Sequence, residues 1–319
     1  MHWLATFTSS LLVPSLVWAA ALPSGGELRD VRIEPVDISR RQGVSTLSSS
    51  ALSAITPFIQ FARAAYCPSS KIQNWSCGQA CDALPGVDIT LTGGDGNSVQ
   101  LFFVGYWSDQ NSIVVAHEGT DPVAFLSDLT GIKFFKKDFD QTLFPGIDAA
   151  VEGHDGFVDE HAKTASTILA EVKRLISSKN AATVLCIGHS LGGALAELDS
   201  LFFTMNLPSS IHVKGVTFGT PRVGNAQYAA FFDSQVPDFQ RVNHDHDPIP
   251  IVPGRFLGFS HVHGEVHLSD NGPAVACLGD DDSTDSQCSI KAVPNIIESN
   301  ILDHLGPYEG IHIGTLFCT

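Results

Sequence analysis

The stretch TVLCIGHSLGGALAELDS, Thr183 to Ser200, decides the fold. Thr183 to Ile187 is apolar and β-branched enough to be a buried strand, and the Ala- and Leu-rich residues from about Leu191 predict a helix. Between them Gly188-His189-Ser190-Leu191-Gly192 matches G-x-S-x-G. A serine in so tight a strand-to-helix joint adopts strained backbone angles, so its neighbours must be nearly free of side chains. Gly188, Gly192 and Gly193 meet that need, and Ala194 keeps the helix close to the sheet. The combination is a nucleophile elbow. A serine that only caps a helix is the plainer reading, and the strand, the helix and the glycines together favour the elbow.

A serine hydroxyl is a poor nucleophile until a base takes its proton, and the base needs a carboxylate to fix its tautomer. In this architecture the chain order is serine, then acid, then histidine. The stretch Gln240 to Pro248 offers Asp245 and Asp247 at the end of a later strand. Asp247, held by Pro248 in the turn just beyond that strand, is preferred as the acid. Among 13 histidines, His304 lies late in the chain in a loop, where the base should be. The oxyanion of a tetrahedral intermediate needs preorganised donors. Leu191 supplies the N–H that follows the nucleophile. Thr120, in the loop after Ile113-Val114-Val115-Ala116, offers an N–H and a hydroxyl, although it or Asp121 also suits a helix cap ahead of Pro122.

The surrounding order of elements agrees with a hydrolase sheet. A helix-like stretch runs from Gly43 to about Ala65, and a strand pair, Val99–Val104 and Ile113–Ala116, is joined by a polar turn at 108–111. Val158 to about Ser178 has helical periodicity, and strands at Val213–Phe218 and near Phe239–Val242 alternate with helices. Such alternation predicts an α/β fold with a mostly parallel sheet and helices on both faces. The chain has 319 residues and 44% hydrophobic content, enough for one catalytic domain over 42–319.

The first 21 residues read as a signal peptide, an apolar run too short to span a membrane that ends in Ala19-Ala20-Ala21. Residues 22–41 read as a propeptide ending in Arg40-Arg41. The protein is therefore expected to be secreted, with no transmembrane segment. A net charge of −16 argues against nucleic acid as a partner. Seven cysteines in a secreted chain imply disulfides and one leftover thiol. The leftover is Cys186, inside a strand; Cys67, Cys77, Cys81, Cys277, Cys288 and Cys318 lie in stretches suited to bridges. Asn74-Trp75-Ser76 is a possible glycosylation sequon. His261, His263 and His267 lack a defined ligand geometry, so no metal is expected, and Asp280-Asp281-Asp282 reads as a solvated turn.

These residues resemble the class 3 lipase family of secreted filamentous-fungus enzymes, most closely its basidiomycete members. The resemblance is carried by His117 to Pro122, His154-Asp155-Gly156-Phe157, Gly188 to Ala194, Thr217 to Asn225, Asp247-Pro248-Ile249-Pro250, Gly258 to His261 and Asp303-His304-Leu305, in order along nearly all the chain past residue 41. It implies a triacylglycerol lipase of α/β-hydrolase fold with no cofactor, a triad of Ser190, Asp247 and His304, and an oxyanion hole of Thr120 with Leu191. It also implies bridges joining Cys67 to Cys318, Cys77 to Cys81 and Cys277 to Cys288. The chain departs from many relatives after the histidine, where Leu305-Gly306-Pro307 replaces aromatic residues.

Directly after Thr120 comes DPVAFLSDLTGIKFF, Asp121 to Phe135. If helical, it carries Phe125, Leu129 and Ile132 on one face with Leu126 widening the stripe. Such a stripe is ordinarily core; its position, by the resemblance, makes it a lid that opens at a lipid–water interface. A feruloyl esterase is the rival on the same fold, and a polar, tyrosine-bearing lid would suit it better than this one. A secreted binding protein without activity is the rival from another class, and the intact set of triad residues argues against it. A monomer is favoured.

Overall fold

The computed structural model describes residues 44–123, 125–126, 135–279, 281 and 284–318. The expected signal peptide and propeptide, and Leu129 and Ile132 of the expected lid, lie outside the described residues.

Eleven strands are present among the described residues: β1 Ser45–Thr46, β2 Val87–Gly93, β3 Phe102–Trp107, β4 Ser112–His117, β5 Lys136–Asp138, β6 Glu152–His154, β7 Thr183–His189, β8 His212–Phe218, β9 Phe239–His244, β10 Glu265–Leu268 and β11 Val275–Ala276. Nine form one sheet in the order β1-β11-β10-β9-β8-β7-β4-β3-β2, and β5 pairs with β6 separately. From β10 to β4 neighbouring strands are parallel, and both flanks are antiparallel. The expected parallel sheet is thus the centre of a mixed one. Its central strands are buried on both faces, which is why β4 and β7 are apolar almost throughout instead of alternating with polar residues.

Alternate residues of those strands belong to two cores. Ile113, Val115, Val184 and Cys186 join Phe157, Ile168, Leu198 and Phe202 on one face, whereas Val114, Ala116, Leu185 and Ile187 join Phe58, Phe61 and Tyr66 on the other. Helix α1, Thr56–Ala64, covers the second face. Helices α2, Asp155–Lys179, and α3, Leu191–Asn206, cover the first. Burial of Phe157, His161, Thr164, Ile168, Val172 and Leu175 gives α2 one inward stripe at helical spacing. By contrast α3 is buried from Gly192 to Phe203 all round, so it lies at the centre of the molecule.

Three expectations need correction. The single helix over Gly43–Ala65 is two, Ser49–Ser53 and α1, because Pro57 in the first turn of α1 lacks the N–H that a continuous helix requires. The strand expected from Val99 begins at Phe102, because the Asp95 carboxylate accepts the N–H groups of Asn97, Ser98 and Val99 and holds them in a turn. Nor is Asp281 solvated: it is buried and paired with the buried Arg222 guanidinium, which also donates to the carbonyls of Ile251 and Pro253. Burial works against ionisation of Asp281, but the hydrogen bond and charge of Arg222, with His261 adding to them, hold its pKa at about 2.

Three disulfides join Cys67 to Cys318, Cys77 to Cys81 and Cys277 to Cys288, and Cys186 is a buried free thiol. Cys67 and Cys318 are 251 residues apart, so their bridge ties the end of the α1 segment to the far end of the described chain. Replacing both by serine should cost about 2–5 kcal/mol in urea unfolding. Thiol titration of the unreduced, denatured protein should count Cys186 alone, and a second reactive thiol would contradict the pairing.

Candidate active site

Ser190 stands between β7 and α3 with φ 61° and ψ −128°. A non-glycine residue there stores about 1–3 kcal/mol of backbone strain. The glycines allow the joint to close: a Cβ on Gly188 would lie 1.9 Å from the Gly192 carbonyl oxygen, and one on Gly192 would lie 2.3 Å from that of His117. Ser190 is wholly buried, and Leu191 begins the helix, where the first N–H groups have no intrahelical acceptor.

The turn after β9 holds Asp247. Its N–H donates to the His244 carbonyl at 3.0 Å, its Oδ1 accepts from Ile249 N at 2.8 Å, and its Oδ2 accepts from His304 Nδ1 at 2.8 Å. Asp245 goes elsewhere, its carboxylate lying 3.0 Å from Nδ1 of the exposed His246. Both Asp247 and His304 are buried. With Nδ1 donating, His304 presents Nε2 as its basic nitrogen. Among the described residues, His304 Nε2 and Ser190 Oγ are both buried without a hydrogen-bond partner. Buried polar atoms are nearly always paired, so a serine hydroxyl and an imidazole nitrogen left without partners both keep hydrogen-bonding capacity for a bound molecule.

The loop Glu118-Gly119-Thr120 closes the other side. A Cβ on Gly119 would be 2.8 Å from Ser190 Cβ, so the chain passes directly over the serine before reaching the half-buried Thr120. Beneath the loop, His117 Nε2 donates to Asp199 Oδ2 at 2.7 Å and His161 Nε2 to Oδ1 at 3.0 Å, all three buried. Burial opposes charge on Asp199, but His117 and His161 outweigh it and keep its pKa at about 2. Among the described residues Glu118 has no such partner. Burial pushes its pKa up to about 7, against a weaker pull from the Leu101 N–H.

The expected lid residues Phe125 and Leu126 follow. Phe125 is buried with its ring 6.1 Å from that of Phe157, and Leu126 is partly buried against the same core. Asn74 is exposed and donates to the Ser70 carbonyl. His261, His263 and His267 turn to different partners, the Pro250 carbonyl, the Asp233 carboxylate, and the Gln287 and Asp245 carbonyls.

The model of the family "Lipase (class 3)" matches residues 114–257, which include the Thr120 loop, Ser190 and Asp247. A secreted mono- and diacylglycerol lipase of Malassezia globosa is 32% identical over 71% of this chain and 74% of its own. The chain belongs to the fungal class 3 lipase family. Among solved structures, lipase II from Rhizopus niveus superposes with a TM-score of 0.75 at 27% identity, covering 87% of this chain and all of that one. A second, described as a triacylglycerol lipase whose catalytic centre is formed by a serine protease triad, has a TM-score of 0.72 at 25% identity, covering 87% of this chain and all of its own. This class 3 lipase is a serine ester hydrolase on the α/β-hydrolase fold.

Sequence reasoning did not find Tyr66, whose Oη is 2.6 Å from His189 Nδ1, because it lies 123 residues from its partner. It also passed over Asp199, although two acids, Glu197 and Asp199, in a helix buried all round are a signal of buried pairing.

The raised pKa of Glu118 fixes a sign. An acid whose folded pKa exceeds its ordinary 4.5 stabilises the fold fully below about pH 4.5, and that contribution is lost as pH rises through about 7. Glu118→Gln should therefore remove a decline in the urea midpoint of this lipase across that window, and an unchanged pH dependence would refute the assignment.

Proposed function

We propose that the protein is a secreted lipase that hydrolyses the ester bonds of triacylglycerols at a lipid–water interface, with Ser190, Asp247 and His304 as its triad. The observation that carries this is the buried Ser190 hydroxyl in a strained elbow, left unpaired together with His304 Nε2, while Asp247 holds the other nitrogen of the same ring. Ser190 Oγ attacks the ester carbonyl carbon as His304 Nε2 takes its proton. Asp247 keeps the Nδ1 proton in place and stabilises the imidazolium. The N–H groups of Leu191 and Thr120, with the Thr120 hydroxyl, receive the oxyanion. His304 then protonates the leaving glycerol oxygen, and water, deprotonated by the same nitrogen, releases the fatty acid from Ser190.

Surface chemistry supports a lipid substrate. Val252, Phe256, Leu257, Ile296 and Ile297 line a groove of about 670 Å³ beside the loop that follows Asp247. Ser190 and His304 are not among its lining residues, so the groove is distinct from the reacting centre. Phe256 is 90% and Ile297 94% exposed, and Leu302, two residues before His304, is 67% exposed. Apolar side chains gathered so are costly in water and are covered at an oil surface, at roughly 25 cal/mol per Å². The segment after Thr120, with Phe125 and Leu126, acts as a lid over the serine. No helix among the described residues is long and apolar enough to cross a membrane. The relative named for mono- and diacylglycerols favours a second reading, in which partial glycerides are preferred.

Ser190→Ala should lower turnover by about 10⁴-fold or more, since triad members act as a unit. Asp247→Asn should cripple the enzyme and Asp245→Asn leave it active; the reverse would move the acid. Initial rates on emulsified triolein, diolein and monoolein, with methyl ferulate as the competing ester class, decide the substrate. Replacing Phe256 and Ile297 by serine should lower the rate on emulsified tributyrin severalfold and spare that on dissolved p-nitrophenyl acetate. Equal loss on both would count against an interfacial role.

A further inference from the structure

His189, beside the proposed nucleophile, is buried and uses both ring nitrogens. Its Nε2 lies 2.7 Å from the His304 carbonyl oxygen, and its Nδ1 lies 2.6 Å from Tyr66 Oη. A carbonyl can only accept, so Nε2 carries the proton, Nδ1 is the acceptor of a neutral ring, and the Tyr66 hydroxyl is its donor. Tyr66 Oη also lies directly against the Gly119 backbone, where a Cβ would be 2.2 Å from it. One chain of hydrogen bonds thus runs from Tyr66, packed beneath the loop before Thr120, through His189 to the backbone of His304.

We propose that Tyr66 is a positioning residue that acts through His189 to hold His304 at its working place beside Ser190. The inference rests on Ser190 and His304 being nucleophile and base. Tyr66 does for His189 what Asp247 does for His304: it selects one tautomer. With the opposite tautomer His189 would turn a lone pair toward the His304 carbonyl, and the base would lose a support that, among the described residues, is shared with the Tyr308 hydroxyl at 3.1 Å. His304 lies on a short 3₁₀ turn, Ile301–Leu305, so its ring follows its backbone. A misplacement of about 1 Å at a reacting group can cost 10²-fold in rate.

The electrical state of His189 matters as well, because its ring centroid is 4.4 Å from that of His304. Burial, and then the neighbouring His304, push the His189 pKa well below its ordinary value. His189 is therefore neutral when His304 becomes an imidazolium, and two adjacent cations are avoided. Burial likewise drives the Tyr66 phenol well up, so it keeps the proton it must donate. Tyr66 is itself held fast: Cys67 next to it is bridged to Cys318, and Arg63 Nε donates to the Phe317 carbonyl at 2.7 Å.

The test uses Tyr66→Phe, His189→Asn and their combination. Each is assayed on dissolved p-nitrophenyl butyrate and by the rate at which diethyl p-nitrophenyl phosphate labels the protein. In labelling, Ser190 Oγ bonds to phosphorus, p-nitrophenolate leaves and His304 takes the serine proton. Tyr66→Phe, which keeps the ring and loses one hydroxyl, should lower kcat and the labelling rate about tenfold with KM within about twofold. In the His189→Asn background the same change should have no further effect. A wild-type kcat in Tyr66→Phe, or single effects that multiply in the double variant, overturns the proposal. If His189→Asn does not fold, the division between kcat and KM in Tyr66→Phe decides alone. Peptide mapping separates the two readings. A label that lands away from Ser190 removes the catalytic assignment, whereas wild-type labelling of Ser190 in Tyr66→Phe removes only the relay.

Discussion

The closeness with which α3 is pressed against β7 governs the rest of the site. No atom beyond Cα fits at Gly188 or Gly192, where a Cβ would fall within 1.9 and 2.3 Å of carbonyl oxygens. That contact forces Ser190 to positive φ and lifts its side chain off both the strand and the helix. The strain of such a residue is tolerable only when packing on every side over-determines it. Here α3 is buried over three turns, and β7 has a parallel partner on each edge. The central sheet and its two cores are what keep one serine in an unfavourable conformation.

Around that point polar groups are distributed unevenly. Asp199 is paired twice, Asp281 is matched by Arg222, and both are kept ionised. Glu118, on the loop that passes over the serine, has no cationic partner among the described residues, and burial drives it toward neutrality. The buried ion pair of Arg222 and Asp281 fastens segments that lie outside the sheet and the long helices, since Arg222 joins the turn after β8 to residues 251, 253 and 281. Breaking such a pair is costly because it strands a buried charge. Rigidity in the loops around Asp247 is thus achieved by electrostatics where helices and strands are missing.

How much of this the sequence discloses depends on distance along the chain. The elbow is legible because its strand, its glycines and its helix fall within eighteen residues, each with its own local preference. Asp247 and His304 are 57 residues apart and become legible through chain order and resemblance, with the choice over Asp245 made by a turn. Tyr66 and His189 leave no trace in local pattern, since nothing in Ala64-Ala65-Tyr66-Cys67 marks a tyrosine whose hydroxyl is needed 123 residues away. Asp281 misleads for the opposite reason: a run of acids looks solvated, and only the fold brings an arginine to one of them. The edges of elements fail where a proline or a carboxylate competes with the backbone, as at Pro57 and Asp95.

Cys186 has a consequence for how the molecule matures. It lies in register with Val115 on one side and Gly215 on the other, fully covered, and burial pushes its thiol well above its ordinary pKa. Exchange between thiols and disulfides runs through the thiolate and needs access, and both are withheld here. In the finished protein the seventh cysteine therefore cannot attack the three bridges. The same residue is an open competitor for six others until β7 is sheltered by its neighbours. The order of events is then constrained: the centre of the sheet has to assemble before oxidation becomes irreversible, and the hazard of scrambled bridges lasts only as long as the core is incomplete.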